Sequence, residues 1–164
     1  MKEDIQNKIQ RARELLQTVH HAAMATVNED GSPHNTPYFF MCSPDLQYLY
    51  WGSHPESEHS KNVARTGQIF VVLYDAMERG GLFIRADDAH VAEGHELEAA
   101  LAEHNRRRSL QGNEPLSLNY YSGEAPQRMY IATTRQFWVN GAERRADGLI
   151  IRDRRYEITR QDLL

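Results

Sequence analysis

Cysteine is almost absent from this chain. Cys42 stands alone among 164 residues, so no internal disulfide can form, and a reducing compartment, the cytoplasm, is expected. Long apolar runs are absent as well. No stretch approaches the roughly 20 apolar residues of a membrane-spanning helix, and Met1-Lys2-Glu3-Asp4-Ile5 lacks a signal-peptide pattern. Positive charge is not in excess: 19 Lys and Arg stand against 23 Asp and Glu, a formal net charge of -4. No global basic field therefore recruits nucleic acid. There is no internal repeat and no low-complexity tract. Hydrophobic residues make up 40%, enough for one core and not two, so residues 1–164 read as a single domain.

What is present is a change of period along the chain. Residues 2–19 read as an amphipathic helix, with Ile5, Ile9, Ala12, Leu16 and Val19 at spacings of three and four. Short strands follow at 22–27, 34–42 and 47–53. Asp30-Gly31 marks the first hairpin, and Ser43-Pro44-Asp45 the second turn. A short helix near 60–65 ends at Thr66-Gly67. Residues 68–74 form an almost continuously apolar strand, read as covered on both faces. A turn spans 75–81, and a long strand 82–93 is bent near Asp87-Asp88. Helical spacing returns at 96–108 within a helix-and-loop insertion, 96–126, which has a short helix at 117–121. A long strand, 127–140, a polar connection, 141–148, and short strands at 149–152 and 156–159 complete the chain. The fold class expected is mainly β (α+β): a six- to seven-stranded antiparallel split β-barrel with flanking helices.

One stretch concentrates hydrogen-bonding chemistry. Tyr48-Leu49-Tyr50-Trp51 stops at Gly52-Ser53, and His54, Glu56, Ser57, Glu58 and His59 crowd the loop before Ser60-Lys61-Asn62 opens a helix. A helix start leaves backbone N–H groups unpaired and carries partial positive charge. With hydroxyls from Ser53 and Ser60 and the cation of Lys61, it has the parts of an anion site; the same Ser-x-Asn pattern also serves plain capping. His54, Glu56, Glu58 and His59 fit no common zinc template, so no metal is expected. No Ser-His-Asp triad can be placed around His34, His59, His90 or His95. Tyr50-Trp51 and Phe137-Trp138 have the ordinary reading of core or dimer-interface aromatics.

Residues 22–76 resemble the FMN-binding split barrel of the pyridoxamine 5'-phosphate oxidase-like family. The resemblance runs through ATVNEDGSPHNTPYFF, YLYWGS and HSKNVARTGQIFVVLYD, and the tail RQFWVNGAERRADGLIIR is similar to the oxidase's Phe-Trp segment. It implies a homodimer with two FMN sites at the subunit interface. Ser60 and Lys61 then match the helix-start positions that hold the FMN phosphate, and Ser53 the strand-end hydroxyl. His59 and Asn62 lie beside them. Asn35, Thr36, Pro37 and Tyr38 match the segment along the isoalloxazine edge, Trp51 joins the set, and Trp138 matches a flavin-adjacent Trp reaching in from the other chain.

The chain departs from the family at two places. The oxidase carries Arg-x-His-x-Arg after its Phe-Trp; here Arg144 matches the first Arg, and Ala146 and Gly148 follow. Its phosphate-site Arg-Lys is Ser60-Lys61. Both changes argue against pyridoxine phosphate as the substrate. The function expected is an FMN-dependent oxidoreductase acting on a small organic molecule, with NAD(P)H or another reductant. The alternatives are a non-catalytic flavin-binding storage or stress protein, or a haem-binding split barrel. No catalytic side chain is assigned.

Overall fold

A computed structural model describes residues 2–75 and 80–164. The chain runs α1 (Lys2–Thr18), β1 (His21–Val27), β2 (Pro33–Phe39), β3 (Met41–Cys42), β4 (Tyr48–Ser53), α2 (Glu58–Thr66), β5 (Ile69–Tyr74), β6 (Gly81–Val91), α3 (Gly94–Leu110), β7 (Arg128–Arg144) and β8 (Ile150–Ile158). All strand pairs are antiparallel. The order is β2-β1-β5-β6-β7-β4-β3, with β8 also on β7. Long β7 makes the split: its first half pairs with β4 and the far end of β6, and its second half with the start of β6 and with β8. The split barrel with flanking helices is thus the observed architecture.

The local reasons are those the sequence suggests. Gly31 adopts φ 83° in the β1–β2 hairpin, where Asn28 and Ser32 close the turn at 2.9 Å. Gly67, at φ 63°, ends α2 and donates its N–H to Val63 O. The bend expected near Asp87-Asp88 is a register shift between Asp87 and His90, with Asp88 at φ 54°. Ile9, Ala12, Leu15 and Leu16 bury the inner face of α1 against the main core, which holds Trp51, Phe40, Val71 and Ile84. A second core under α3 gathers Met41, Tyr50, Leu97, Ala100 and Met129. Buried Arg107 of α3 donates to Leu16 O and Val19 O, so it satisfies carbonyls at the end of α1.

Several boundaries differ from the sequence reading. Among the described residues eight strands form, not six or seven. The strand expected at 34–42 breaks at Phe40, whose side chain is fully buried and whose N–H donates to His20 O; β3 then pairs with β4 instead of β1. The first half of the polar connection expected at 141–148 continues β7, and the two short strands after it are one, β8. Strand β5 is buried on one face only: Ile69, Val71 and Leu73 face the core, Phe70 and Val72 are half-buried, and Tyr74 is exposed. Of the turn expected at 75–81, residues 76–79 lie outside the described residues. Among the described residues no helix is long and apolar enough to cross a membrane.

Candidate functional site

Strand β4 delivers Ser53 to the mouth of the barrel, and a short loop brings the chain into α2. The helix starts at Glu58, two residues before the expected start, so Ser57 is its N-cap and Ser60 lies in its first turn. Ser57 is an unusual cap. Its carbonyl accepts from Ser60 N–H and Lys61 N–H, but its hydroxyl makes no capping bond. The hydroxyl turns instead to His54 O, to which it donates at 2.7 Å, and to other side chains. Ser53 Oγ lies 2.8 Å from Ser57 Oγ and 2.7 Å from His59 Nε2. Ser60 Oγ is 2.9 Å from Ser57 Oγ and 3.1 Å from Ser53 Oγ. Three hydroxyls and one imidazole nitrogen thus converge at a helix N-terminus. Hydroxyl rotors re-aim freely, so this set can turn its protons toward an anionic oxygen.

The charges around the cluster are sparse. His59 is half-buried, and burial, followed by neighbouring His34, lowers its pKa from the ordinary imidazole value. The two rings stack with centroids 6.3 Å apart. His59 therefore acts as a neutral hydrogen-bonding group at neutral pH. No carboxylate orients its ring among the described residues, so its contact with Ser53 does not complete a triad. Lys61 is about half-exposed and pairs with Glu56 at 3.3 Å. Asn62 is buried, and its amide donates to Thr26 Oγ1 at 3.0 Å and Asn28 Oδ1 at 2.8 Å. Both Nδ2 hydrogens are used, so Asn62 locks α2 onto the β1–β2 hairpin and has no donor left for a ligand.

The remaining expected site residues separate. Side chains alternate across a strand, so Asn35 and Pro37 lie exposed on the outer face of β2, while Thr36 and Tyr38 point the other way. Two of them lie deep in the fold. Tyr38 is buried, and Trp51 is fully buried and stacked on Tyr130 with centroids 5.4 Å apart. Both pack in the main core; Tyr38 Oη and Trp51 Nε1 are buried without a hydrogen-bond partner among the described residues. Trp138 is half-buried on the outer face of the sheet, with its ring 6.0 Å from that of Phe70. Arg144 sits near the end of the β7–β8 ribbon and donates to Gly148 O at 2.9 Å. Ala146 and Gly148 occupy the hairpin turn itself: Gly148 has φ 86° and donates its N–H to Arg145 O. A positive φ there suits glycine, not a basic side chain.

Ser57 is the functional candidate that sequence reasoning missed. Its signal was the Ser-Glu-His-Ser spacing, which places one hydroxyl at the N-cap and another in the first turn.

The sequence profile of pyridoxamine 5'-phosphate oxidase matches residues 9–140. No curated protein matches the chain significantly. Among solved structures, a heme binding protein from Mycobacterium smegmatis superposes with a TM-score of 0.65 at 16% identity. That match covers 95% of this chain and 59% of the mycobacterial one. A Clostridium acetobutylicum protein of the pyridoxinephosphate oxidase family, related to general stress protein 26 of B. subtilis, has a TM-score of 0.61 at 11% identity, covering 93% and 96%. An F420 reductase has a TM-score of 0.56 at 15% identity, covering 77% and 94%. Identities this low carry the fold and nothing finer.

Proposed function

The chain belongs to the pyridoxamine 5'-phosphate oxidase family, and on that premise we propose that it is an FMN-binding oxidoreductase acting on a small organic molecule. It works as a cytoplasmic homodimer, and NAD(P)H or another reductant supplies the electrons. The observation that carries this reading is the convergence of Ser53, Ser57, Ser60 and His59 on the first turn of α2. Hydroxyls at a helix N-terminus are suited to a phosphate, and the family supplies the reason to expect the phosphate of FMN.

When bound, FMN brings the two-electron redox chemistry. The chain's own residues bind and orient it. The three serines would hold its phosphate, Lys61, which pairs with Glu56, would add charge, and Asn62 keeps α2 in place. Asn35 and Pro37 present a polar and an apolar edge beside the small side chains of Ala23 and Ala25. Glu56 and Glu58 oppose an anion here, so flavin binding is expected to be weaker than a site with two cations would give. Pyridoxine phosphate is not the substrate in this reading, because the hairpin turn at 146–148 replaces the family's basic pair.

Haem is the second reading, suggested by the mycobacterial neighbour. An axial ligand needs an imidazole nitrogen free for iron. His59 Nε2 is engaged with Ser53 and Ser57, which favours the flavin. Mass spectrometry of whatever purified protein releases on denaturation, with FMN and haem titrations of the stripped chain, tests both. FMN release, or a saturable FMN titration much tighter than riboflavin, is expected. Released haem, or FMN and riboflavin binding equally, overturns the proposal.

A further inference from the structure

The start of β7 lies beside the mouth. Arg128 pairs directly with Ser53 across β7 and β4. Directly opposed residues point to one face, with Cβ atoms about 5 Å apart. The Arg128 stem therefore rises next to the hydroxyl at the centre of the serine cluster. The segment leading into β7 is held against the same strand end. Gly52 leaves room for Tyr121: a Cβ at Gly52 would stand 3.0 Å from Tyr121 Cε1 and 3.1 Å from its Oη. Tyr121 Oη in turn lies 3.1 Å from His104 Nδ1, which ties the segment to α3.

Arg128 is half-buried, and backbone carbonyls orient its guanidinium. Nη1 donates to Ala125 O and, at 2.8 Å, to Gln127 O; Nη2 donates to Gly123 O at 2.9 Å. Nε–H and the second Nη2–H carry no hydrogen bond among the described residues. Covalent geometry sets these two donors side by side, as the fork that receives two oxygens of one phosphate. No carboxylate pairs with Arg128 among the described residues. The helix start, by contrast, offers Lys61, which is already paired with Glu56, and Glu58 stands in the same turn.

We propose that Arg128 is a specificity-determining residue of this site: its open fork takes two oxygens of a phosphate monoester seated on Ser53, Ser57 and Ser60, and so selects phosphorylated flavin over flavin alone. The inference rests on the FMN reading above and adds to it a cation from a different strand. The carbonyl bonds serve this role. They fix the guanidinium beforehand, so little rotamer freedom is left to lose when the anion arrives. Carbonyls also leave its charge in place, where a carboxylate would neutralise it. Lysine is not an equivalent, because an ammonium is a point charge without a planar fork.

Full-length wild type, Arg128→Gln and Arg128→Lys, stripped of bound flavin, are titrated with FMN and with riboflavin, and circular dichroism confirms folding. The ratio of the two affinities is the readout. A loosened segment before β7 weakens both flavins alike, whereas a lost phosphate contact weakens FMN alone. The wild type is expected to favour FMN. Arg128→Gln should lower that preference about 30-fold, and Arg128→Lys, which keeps the charge without the fork, about threefold. An unaltered preference in Arg128→Gln, or equal weakening of both flavins, overturns the role of Arg128 and leaves the serine cradle standing. An Arg128→Lys protein as selective as the wild type overturns the forked contact. A wild type that does not distinguish FMN from riboflavin overturns both readings. Labelling of the wild type with an arginine-selective dicarbonyl, located by peptide mass spectrometry, serves if Arg128→Gln fails to fold. FMN should protect Arg128 and riboflavin should not; equal labelling with and without FMN overturns the proposal.

Discussion

At the mouth of α2, Ser53, Ser57, Ser60, His59 and Asn62 all find partners within their own chain. On the outer face, Asp153, Arg155 and Glu157 find no ionic partner among the described residues, and an aromatic surface lies half-covered beneath them. The mouth is preorganised: its hydroxyls need only rotate to exchange each other for a ligand oxygen. The face is unfinished: its charges have no ionic counterpart among the described residues.

The two tryptophans test that contrast with the largest expected effect. Trp51 stands in the core behind the mouth, and Trp138 on the face. Trp51→Ala should cost about 3–5 kcal/mol of folding stability, since it removes a fully buried aromatic and leaves a cavity. Trp138→Ala should cost the dilute, monomeric chain about 1 kcal/mol or less and should weaken self-association instead. Urea unfolding at submicromolar protein, beside sedimentation, separates the two. Equal losses of stability would end the distinction between a finished and an unfinished region.

Asn62 and Asn35 make a smaller pair. Asn62→Ala leaves Thr26 Oγ1 and Asn28 Oδ1 without their shared donor, and a buried group left unpaired costs about 1–3 kcal/mol. Asn35→Ala, on the exposed face, should lie within about 0.5 kcal/mol. FMN affinity should fall in both, through a displaced α2 in the first and a lost contact in the second. Chemical denaturation shows whether the first loss comes with unfolding. An Asn62→Ala protein as stable as wild type would show that the amide clamp does not hold the helix.

The fold was legible where local chemistry and the tertiary solution agree. Asp30-Gly31 specifies a hairpin turn, Thr66-Gly67 a helix end, and Ile9, Ala12 and Leu16 a buried helical stripe. It was not legible where a neighbour decides. Tyr38-Phe39-Phe40-Met41 is apolar throughout, so no period of two reveals the break at Phe40, which pairing with His20 sets. Strand β8 is exposed along most of its length, so alternation carries no signal, and only pairing with β7 makes it one strand. At the site, Ser53 and Ser60 were readable from their places at a strand end and a helix start. The burial of Trp51 and Tyr38 was not, because an aromatic in a strand reads alike whether it meets a ligand or the core. Ser57 was hidden by a helix start misplaced by two residues.

Lys61 comes next in size. Replacing the exposed cation with Ala removes its pair with Glu56, which is worth at most about 1 kcal/mol to the fold. A partly solvated contact to the FMN phosphate is worth a similar amount, so FMN should bind roughly fivefold more weakly. Glu56→Gln frees Lys61 and removes an opposing charge, so it should tighten FMN by a similar factor. Flavin titrations of the three proteins, with riboflavin as the phosphate-free control, measure this. Identical FMN affinities would take Lys61 out of the site and leave the hydroxyls to hold the phosphate.

The smallest effect concerns protons at the mouth. Burial and His34 lower the pKa of His59, so the fold disfavours its charged form. In the unfolded chain the ring titrates near its ordinary value, about 6.5. Below that value the unfolded state binds the proton more readily, so the stability contribution is complete above about pH 6.5 and is lost as pH falls through the folded value. His104 is lowered by burial and by Arg108 and follows the same trend. His90 is raised: burial opposes the charge, but Asp88 O and the Glu96 carboxylate outweigh it, so its contribution runs the other way. The informative quantity is therefore the difference between wild type and His59→Gln. The wild type should lose more melting temperature between pH 7.5 and 5.5, by less than about 3 °C for a chain of this size. FMN binding should move in the opposite sense. A proton on His59 places a cation on Ser53 and Ser57, so wild-type affinity for FMN, relative to riboflavin, should rise as pH falls below about 6.5, offset in part where the phosphate monoester itself gains a proton (pKa about 6). His59→Gln should show neither trend. A variant that repeats both wild-type profiles would place the relevant titration elsewhere and leave His59 as a spacer between the serines.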